Sequence, residues 1–433
     1  MKKQIKRIVG FDSWTGGSNH YQRLLPALDV RSIQLTLVHI GSWGNEPGCA
    51  HEHRIGHLLV RDIAFYGGDS FERILDIEQP DAVVLLSTDT FAHRAFIRYC
   101  KQRSIPTLNL YHGLLSVLDT DGKMRAPAIS HVAHVKYVFS KIGKLLQHTL
   151  PCYVKALLKT KATHKDWGRF IADIFRLATG DKPWLGQAAD DAKTNKCAVY
   201  VQADVEHALH CYGFRKKDVF VVGNPDFLQF GLKQSMIGCW LPPAKGVEKS
   251  IMYIECGFSS IGVFFSGIQG FVNHLIETSN SLAAQGYKMR LKLKPNQANS
   301  KFIEQRLVGE EIELITNENF LRSLAKCSAC IVETTSLAML PTLMGMPLLL
   351  AKYGDLKSLS FGSVLASYPR GYLLHDISDV SDILLKDAQE LDCGKLNDWI
   401  DYNTGPLPAE EMPERVAAIV DEMIADACQK RLT

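Results

Sequence analysis

Three strand exits in the second half of the chain carry side chains suited to holding a phosphate. The first is Glu255-Cys-Gly257-Phe-Ser259-Ser260, small residues ahead of a helical segment. The second is Lys292-Leu-Lys294-Pro295-Asn296. The third is Glu333-Thr334-Thr335-Ser336-Leu337, running into a helix that closes at Met344-Gly345-Met346-Pro347. Hydroxyls and backbone N–H groups at a helix start, with lysines from a neighbouring strand end, form an anion cradle. Singly, each has a plainer reading: Thr335-Ser336 as a helix cap, Lys292 and Lys294 as edge-strand lysines. In order, at successive strand ends of one sheet, they point to a phosphate site.

The first half supplies acids and bases. In VFVVGNPDFLQF, Val219–Phe230, an apolar run reads as a buried strand, breaks at Gly223-Asn224-Pro225 and delivers Asp226 ahead of Phe227. Such a carboxylate is either a reactive group or the cap of the turn that follows. His112, at a strand exit before Gly113, is either a general base or a buried imidazole bonded to backbone. Gly16-Gly17-Ser18-Asn19 follows the first strand, and Asp89 lies in STDTF. TGGSNH lacks the G-x-G-x-x-G spacing of a dinucleotide loop. No metal site is expected. Asp119-Thr-Asp121-Gly122 reads as a turn, and Cys327-Ser-Ala-Cys330 has no second pair at zinc-finger spacing.

The elements that must position these residues alternate. Strands are expected at RIVGF, QLTLVHI, DAVVLLS, PTLNLY, CAVYVQ and VFVVG, with helices at Phe71–Glu78 and Ala92–Lys101 among the segments between them. A linker, Leu241–Lys249, precedes a second series: SIMYIE, MRLKLK, IELIT, ACIVE, PLLLAK and GYLLH. This pattern predicts two doubly wound α/β domains in tandem. From Glu410 onward, Val416, Ile419, Val420, Met423, Ile424 and Ala427 share one face of an amphipathic helix. Residues 131–165 hold seven lysines and no acid, interleaved with apolar residues. They read as a helical hairpin divided at Pro151, either a solvated pair or a peripheral contact with an anionic membrane.

Composition narrows the classes. A chain of 433 residues with 46% hydrophobic and 22% charged residues has enough apolar surface for two or three domains. A net charge of +3 argues against a nucleic-acid partner. No apolar run of membrane-spanning length occurs, and MKKQIKRIVGFDSW is too short in apolar residues for a secretory signal. Eleven scattered cysteines suit reduced thiols. The expected location is cytoplasmic, or peripheral on the inner face of the membrane.

The motifs resemble those of GT-B glycosyltransferases. CIVETTSLAMLPTLMGMPLLL resembles their nucleotide-binding element, KLKPN their Lys/His-Pro strand end, and GNPD the Gly-Asn-Pro-x that closes the first domain. Tyr111-His112-Gly113 is similar to a strand end of bacterial surface-polymer transferases. The resemblance implies an α/β, GT-B-like fold of two Rossmann-like domains facing across a cleft. Residues 1–243 would form the acceptor side with a helical insertion at about 131–180, residues 244–405 the nucleotide side, and residues 406–433 a terminal amphipathic helix. Many UDP-sugar enzymes hold the ribose with a glutamate where this chain has Leu340. That departure favours a CMP-sugar, and the chain most resembles bacterial retaining β-Kdo transferases, which use CMP-Kdo.

The resemblance further implies Asp226 as nucleophile at the anomeric carbon and His112 as base. The nucleotide contacts would be Gly257, Ser259, Ser260, Lys292, Lys294, Pro295, Asn296, Glu333, Thr335, Ser336 and Leu337. Gly17, Ser18, Asn19 and Asp89 would meet a glycan or lipid-linked oligosaccharide acceptor. It implies no metal or other cofactor. Arg290, Lys292, Lys294 and Arg370 are candidates for the carboxylate of the acidic sugar. The rival readings are an inverting transferase using CMP-sialic acid or CDP-glycerol, a UDP-sugar 2-epimerase, and a non-catalytic glycan-assembly subunit.

Overall fold

The computed structural model describes residues 5–44, 46–113, 143, 145–179, 189–244, 246–255, 265, 267–294, 300–333, 335–351 and 362–432. Two sheets organise them. The first contains β1 (Lys6–Asp12), β2 (Ile33–His39), β3 (Glu52–Ile55), β4 (Leu58–Asp62), β5 (Ala82–Leu85), β6 (Thr107–Leu110), β7 (Lys196–Val199) and β8 (Val219–Val221). Their order is β3-β4-β2-β1-β5-β6-β7-β8, parallel throughout except for the β3/β4 hairpin. The second contains β9 (Ser250–Ile254), β10 (Lys288–Lys292), β11 (Ile312–Leu314), β12 (Ala329–Val332), β13 (Leu348–Ala351) and β14 (Gly371–Leu374). It is all parallel, in the order β11-β10-β9-β12-β13-β14. Both are Rossmann-like α/β domains.

The central strands are continuous apolar runs because helices cover both faces of a parallel sheet. AVVL in β5, ACIV in β12 and LLLA in β13 are buried at every position. Every expected strand forms. The β3/β4 hairpin was not expected: its run EHRIGHLLVRD is polar on one side, and Gly56 at φ +59 makes the turn. VFVV differs in kind from its reading. Val219–Val221 is the edge strand of the first sheet and only half-buried.

The terminal helix, Met412–Leu432, lies against the first domain, not the second. Lys6 pairs with Asp421, Arg31 with Glu414 at 2.5 Å, and Lys196 with Glu422 at 2.9 Å. Its apolar face buries Val416, Ile419, Val420, Met423 and Ile424. The chain reaches it through Gly405, where a Cβ would stand 2.5 Å from the Tyr200 carbonyl.

The insertion between β6 and β7 contains helices Leu150–Lys159 and His164–Thr179. Pro151 does not divide them. It sits in the first turn of its helix, where the missing N–H costs nothing. The break falls at Thr160–Thr163, where Lys161 takes φ +51. Residues 131–142 lie outside the described residues. The insertion is anchored by Arg94 of helix Phe91–Gln102, 1% exposed, which donates to Asp173 at 2.8 Å, Asp191 at 2.9 Å and the Tyr153 hydroxyl at 2.8 Å.

Replacing Arg94 removes the guanidinium that two buried carboxylates share, leaving Asp173 with Arg169 at 3.2 Å and Asp191 with Arg98 at 3.4 Å. Arg94→Ala is expected to lose roughly 2–4 kcal/mol in urea unfolding, less than for carboxylates left with no cation. A loss below about 1 kcal/mol would show that the insertion is held by its apolar contacts instead.

Candidate functional site

Parallel strands release their loops on one edge, so side chains at successive exits meet there. In the first domain β1 ends in Asp12. Gly17 lies over it, and a Cβ on Gly17 would stand 2.0 Å from Asp12 Oδ2, so the glycine makes room for the carboxylate. Burial raises the Asp12 pKa to about 6, against the Ser13 N–H bonded to it at 2.6 Å and the nearby His112, both of which lower it. A carboxylate titrating there is matched to proton transfer at neutral pH.

The helix Ser18–Gln22 and its C-cap bring two further groups, His20 and Arg23. Arg23 Nη1 donates to Asp226 Oδ1 at 2.7 Å, with each side chain about a quarter exposed. His20 stands between them and His112. Its ring centroid is 5.7 Å from that of His112, and its Nδ1 is 3.5 Å from the Tyr200 hydroxyl. Burial, reinforced by Arg23, lowers the His20 pKa to about 4, so the imidazole is neutral at pH 7. His112 is exposed, and its Nδ1 is 2.8 Å from the Leu86 carbonyl. A carbonyl only accepts, so Nδ1 carries a proton, and Nε2 is the ring nitrogen left to face a ligand.

Asp226 does not cap its own turn. Asn224 does: its side chain accepts the Asp226 N–H at 2.9 Å and opens the 3-10 helix Pro225–Phe230. Gly223 takes φ +95 with the Pro406 carbonyl 2.8 Å from where a Cβ would be, so glycine is required there. Phe227 is buried, and Phe230 packs on Phe320 of the second domain with centroids 6.1 Å apart. The GNPD stretch therefore turns the chain out of the first sheet while its one acid faces Arg23.

In the second domain the exits of β9, β10 and β12 share a buried polar group. Lys292 is 3% exposed and donates from Nζ to the Leu293 carbonyl at 2.7 Å; burial lowers its pKa against the opposing pull of Glu255. Glu255 accepts the Lys294 N–H at 3.0 Å. Glu333 is fully buried and accepts from Tyr253 at 3.1 Å. Thr335 caps the helical turn Ser336–Ala338, accepting from the Leu337 N–H at 3.4 Å, so the plainer reading of that hydroxyl holds. Ser336 and Lys294 are exposed, Leu337 half-buried. Gly257, Ser259, Ser260, Pro295 and Asn296 lie outside the described residues, as do Asp119 and Asp121.

Several assignments move. Arg370 is a structural group: it donates to both oxygens of Asp387, at 2.9 and 2.5 Å, and to the Gly345 carbonyl, and it stacks on Trp240. Arg290 is bound to Glu313 at 3.1 Å and to the Ser323 carbonyl at 3.2 Å. Asp89 accepts from the Tyr212 hydroxyl at 2.6 Å. Ser18 is buried and Asn19 exposed. Sequence reasoning missed Asp12, His20, Arg23 and Tyr200. The available signal was weak: an acid ending the first strand, then a histidine and an arginine three apart in the next helix.

No protein-family model matches the chain, and no curated protein sequence matches it. Solved structures do. The calicheamicin glycosyltransferase CalG4 matches with a TM-score of 0.53 at 13% identity, over 98% of this chain and 99% of its own. The wall teichoic acid polymerase TagF matches with a TM-score of 0.50 at 10% identity, over 99% of this chain and 90% of its own. S. aureus MnaA, solved with UDP, matches with a TM-score of 0.48 at 12% identity, over 97% of each chain. The first two establish the two-domain GT-B-like fold across the whole chain.

Asp12 makes a testable contribution to stability. Its pKa is about 6 in the fold against an ordinary 3.8. Between those values the folded chain keeps a proton that the unfolded chain has released, so this group's contribution falls as pH rises and is gone above about 6. Asp12→Asn is expected to stabilise by roughly 1–2 kcal/mol at pH 8, allowing for its partial exposure, and by almost nothing at pH 4. Equal thermal shifts at both pH values would remove the buried-carboxylate assignment.

Proposed function

We propose that the chain is a glycosyltransferase that takes a sugar from a nucleotide-activated donor and retains its anomeric configuration through a covalent adduct on Asp226. The observation that carries this reading is the Arg23–Asp226 pair: a carboxylate that caps nothing, paired with a guanidinium and next to a neutral histidine. The Arg23 guanidinium holds one carboxylate oxygen and leaves the other for a nucleophilic role. In the first step a carboxylate oxygen bonds to the anomeric carbon, and the bond to the nucleotide phosphate breaks with its electron pair leaving on the phosphate. In the second an acceptor hydroxyl attacks that carbon, its proton passes to Asp12, and the ester to Asp226 breaks. His112 Nε2 contacts the acceptor or shares that proton.

The donor side rests on the strand exits of the second domain. Among the described residues, Lys292 is buried beside Glu255, which leaves Lys294 as the exposed lysine of that strand end. At that strand end, a single exposed lysine suits the one phosphate of a nucleoside monophosphate. This agrees with the CMP-Kdo donor that the sequence resemblance implies, with a surface glycan as acceptor. In this role Lys294 meets the phosphate, and Arg23 is the first-domain cation nearest the sugar carboxylate.

One observation favours a second reading. Asp12, with its pKa at about 6, would serve as the sole base of an inverting transfer in which Asp226 only positions Arg23. The two variants separate the readings. Asp226→Asn is expected to lower kcat roughly a thousandfold or more while nucleotide affinity holds. Asp12→Asn is expected to slow the second step by about 10²–10⁴ and to accumulate a glycosylated Asp226 peptide in mass spectra. An active Asp226→Asn with an inactive Asp12→Asn and inverted product would select the second reading.

Nucleotide choice is tested separately. In a thermal-shift panel of CMP, CDP, UMP and UDP, CMP is expected to give the largest rise in Tm. A clear preference for UDP would withdraw the CMP-Kdo donor, and no response to any of them would withdraw the transferase.

A further inference from the structure

A second polar cluster lies at the exits of β2 and β4, and the transfer chemistry uses none of it. His39 ends β2 and Asp62 ends β4; both are fully buried. Cys49 and Glu46 come from the loop between β2 and β3. The donor atoms of His39, Cys49 and Asp62 all lie within 4.8 Å of one another. His39 Nδ1 is 3.3 Å from Asp62 Oδ2 and 3.5 Å from Glu46 Oε2.

These atoms are short of a positive charge. The Gly41 N–H donates to His39 Nδ1 at 3.1 Å, which makes Nδ1 an acceptor, while two carboxylate oxygens stand 3.3 and 3.5 Å from it. Asp62 is held by the Ser42 and Ala64 N–H groups at 3.0 and 2.8 Å, and Glu46 by Thr15. Among the described residues, no lysine or arginine pairs with either carboxylate. His39 Nε2 and the neighbouring His53 Nδ1 are buried without a hydrogen-bond partner. Buried polar groups left in this state are costly, and converging acceptors with no cation are costlier.

We propose that His39, Cys49 and Asp62 bind one zinc ion that braces the loops of the first domain, with Nδ1 exchanging the Gly41 N–H for the metal and Glu46, 3.5 Å from Nδ1, turning in as the fourth ligand. Imidazole, thiolate and carboxylate are the donor set of tetrahedral zinc. Bond lengths of about 2.0–2.3 Å put neighbouring ligand atoms roughly 3.3–3.7 Å apart, and the His39–Asp62 and His39–Glu46 distances already fall in that range. Cys49, half-exposed on its loop, turns in to close the set and gives up its thiol proton to solvent. The bound ion ties the loop 41–49 to two strand ends. Through Glu46 it also ties down Thr15, which follows Asp12 in the β1 loop. The ion is structural and takes no part at the departing phosphate.

The test uses the full chain, stripped with a chelator and titrated with zinc or with cobalt(II) as a spectroscopic stand-in. One equivalent is expected to bind, with intense visible bands of tetrahedral cobalt and a near-ultraviolet thiolate-to-cobalt band. Zinc is expected to raise Tm. Cys49→Ser, at a half-exposed position that should still fold, is expected to lose the near-ultraviolet band and about 10- to 100-fold in affinity. His39→Gln is expected to abolish binding, and its fold is checked by circular dichroism. A parent protein that takes up no metal, shows no thiolate band, or binds as tightly after Cys49→Ser overturns the proposal.

Discussion

Asp226 reaches its place only because its carboxylate has a cation waiting 203 residues earlier in the chain. The ion pair with Arg23 at 2.7 Å fixes where that carboxylate points, and its geometry constrains much of the first domain. The exit of β8 must turn sharply, which Gly223 allows at φ +95 and Asn224 stabilises by capping. The turn is backed in turn by the terminal helix: Arg415 donates to the Val222 carbonyl at 3.0 Å and the Pro406 carbonyl at 3.1 Å. The last helix of the chain thus supports the site from behind without contributing a reactive group.

The same neighbourhood separates two titrations. Asp12 is pushed up by burial, to about 6, and His20 is pushed down by burial and by Arg23, to about 4. At pH 7 the histidine is neutral and the acid sits close to its own titration point. Groups whose environments drive their protonation in opposite senses at one cleft mark acid–base roles more reliably than any one shifted value. Here a single helix turn carrying His20 and Arg23 accounts for most of the arrangement: Arg23 helps keep His20 neutral, and it pairs with Asp226.

The sheets were legible in the sequence because a parallel strand buried on both faces must be a continuous apolar run. DAVVLLS, ACIVE and PLLLAK have no other plausible environment. The β3/β4 hairpin was not, since one face of it is polar and its strands are short. The site divided along similar lines. Asp226 and His112 stood at recognisable breaks after apolar runs and were found. Arg23 and His20 lie inside a short helix with nothing local to mark them, and their role follows only from tertiary contact. Thr335 and Asp226 show the ambiguity of caps: a hydroxyl expected to bind phosphate caps a helix, while an acid with a plausible capping role leaves that task to Asn224.

The insertion follows the rule that governs the site, with a different outcome. Its lysines suggested a cationic face turned outward, yet Lys159 pairs with Glu72 and Lys155 with Asp69 at 3.6 Å, both on or beside helix Phe71–Glu78. Lys161 and Lys165 are exposed beside the apolar Leu146, Leu158, Ile171 and Phe175. Long side chains can snorkel, so a lysine beside an apolar surface settles where a carboxylate lies within reach. Arg94 does the same in the interior, drawing Asp173 and Asp191 onto one guanidinium. Charges in this domain are satisfied internally only where the fold provides a partner, and the insertion's outward face is mixed, with lysines beside apolar residues. No described helix is long and apolar enough to cross a membrane, so that outward face is the part of the insertion whose burial the intramolecular contacts leave unfinished.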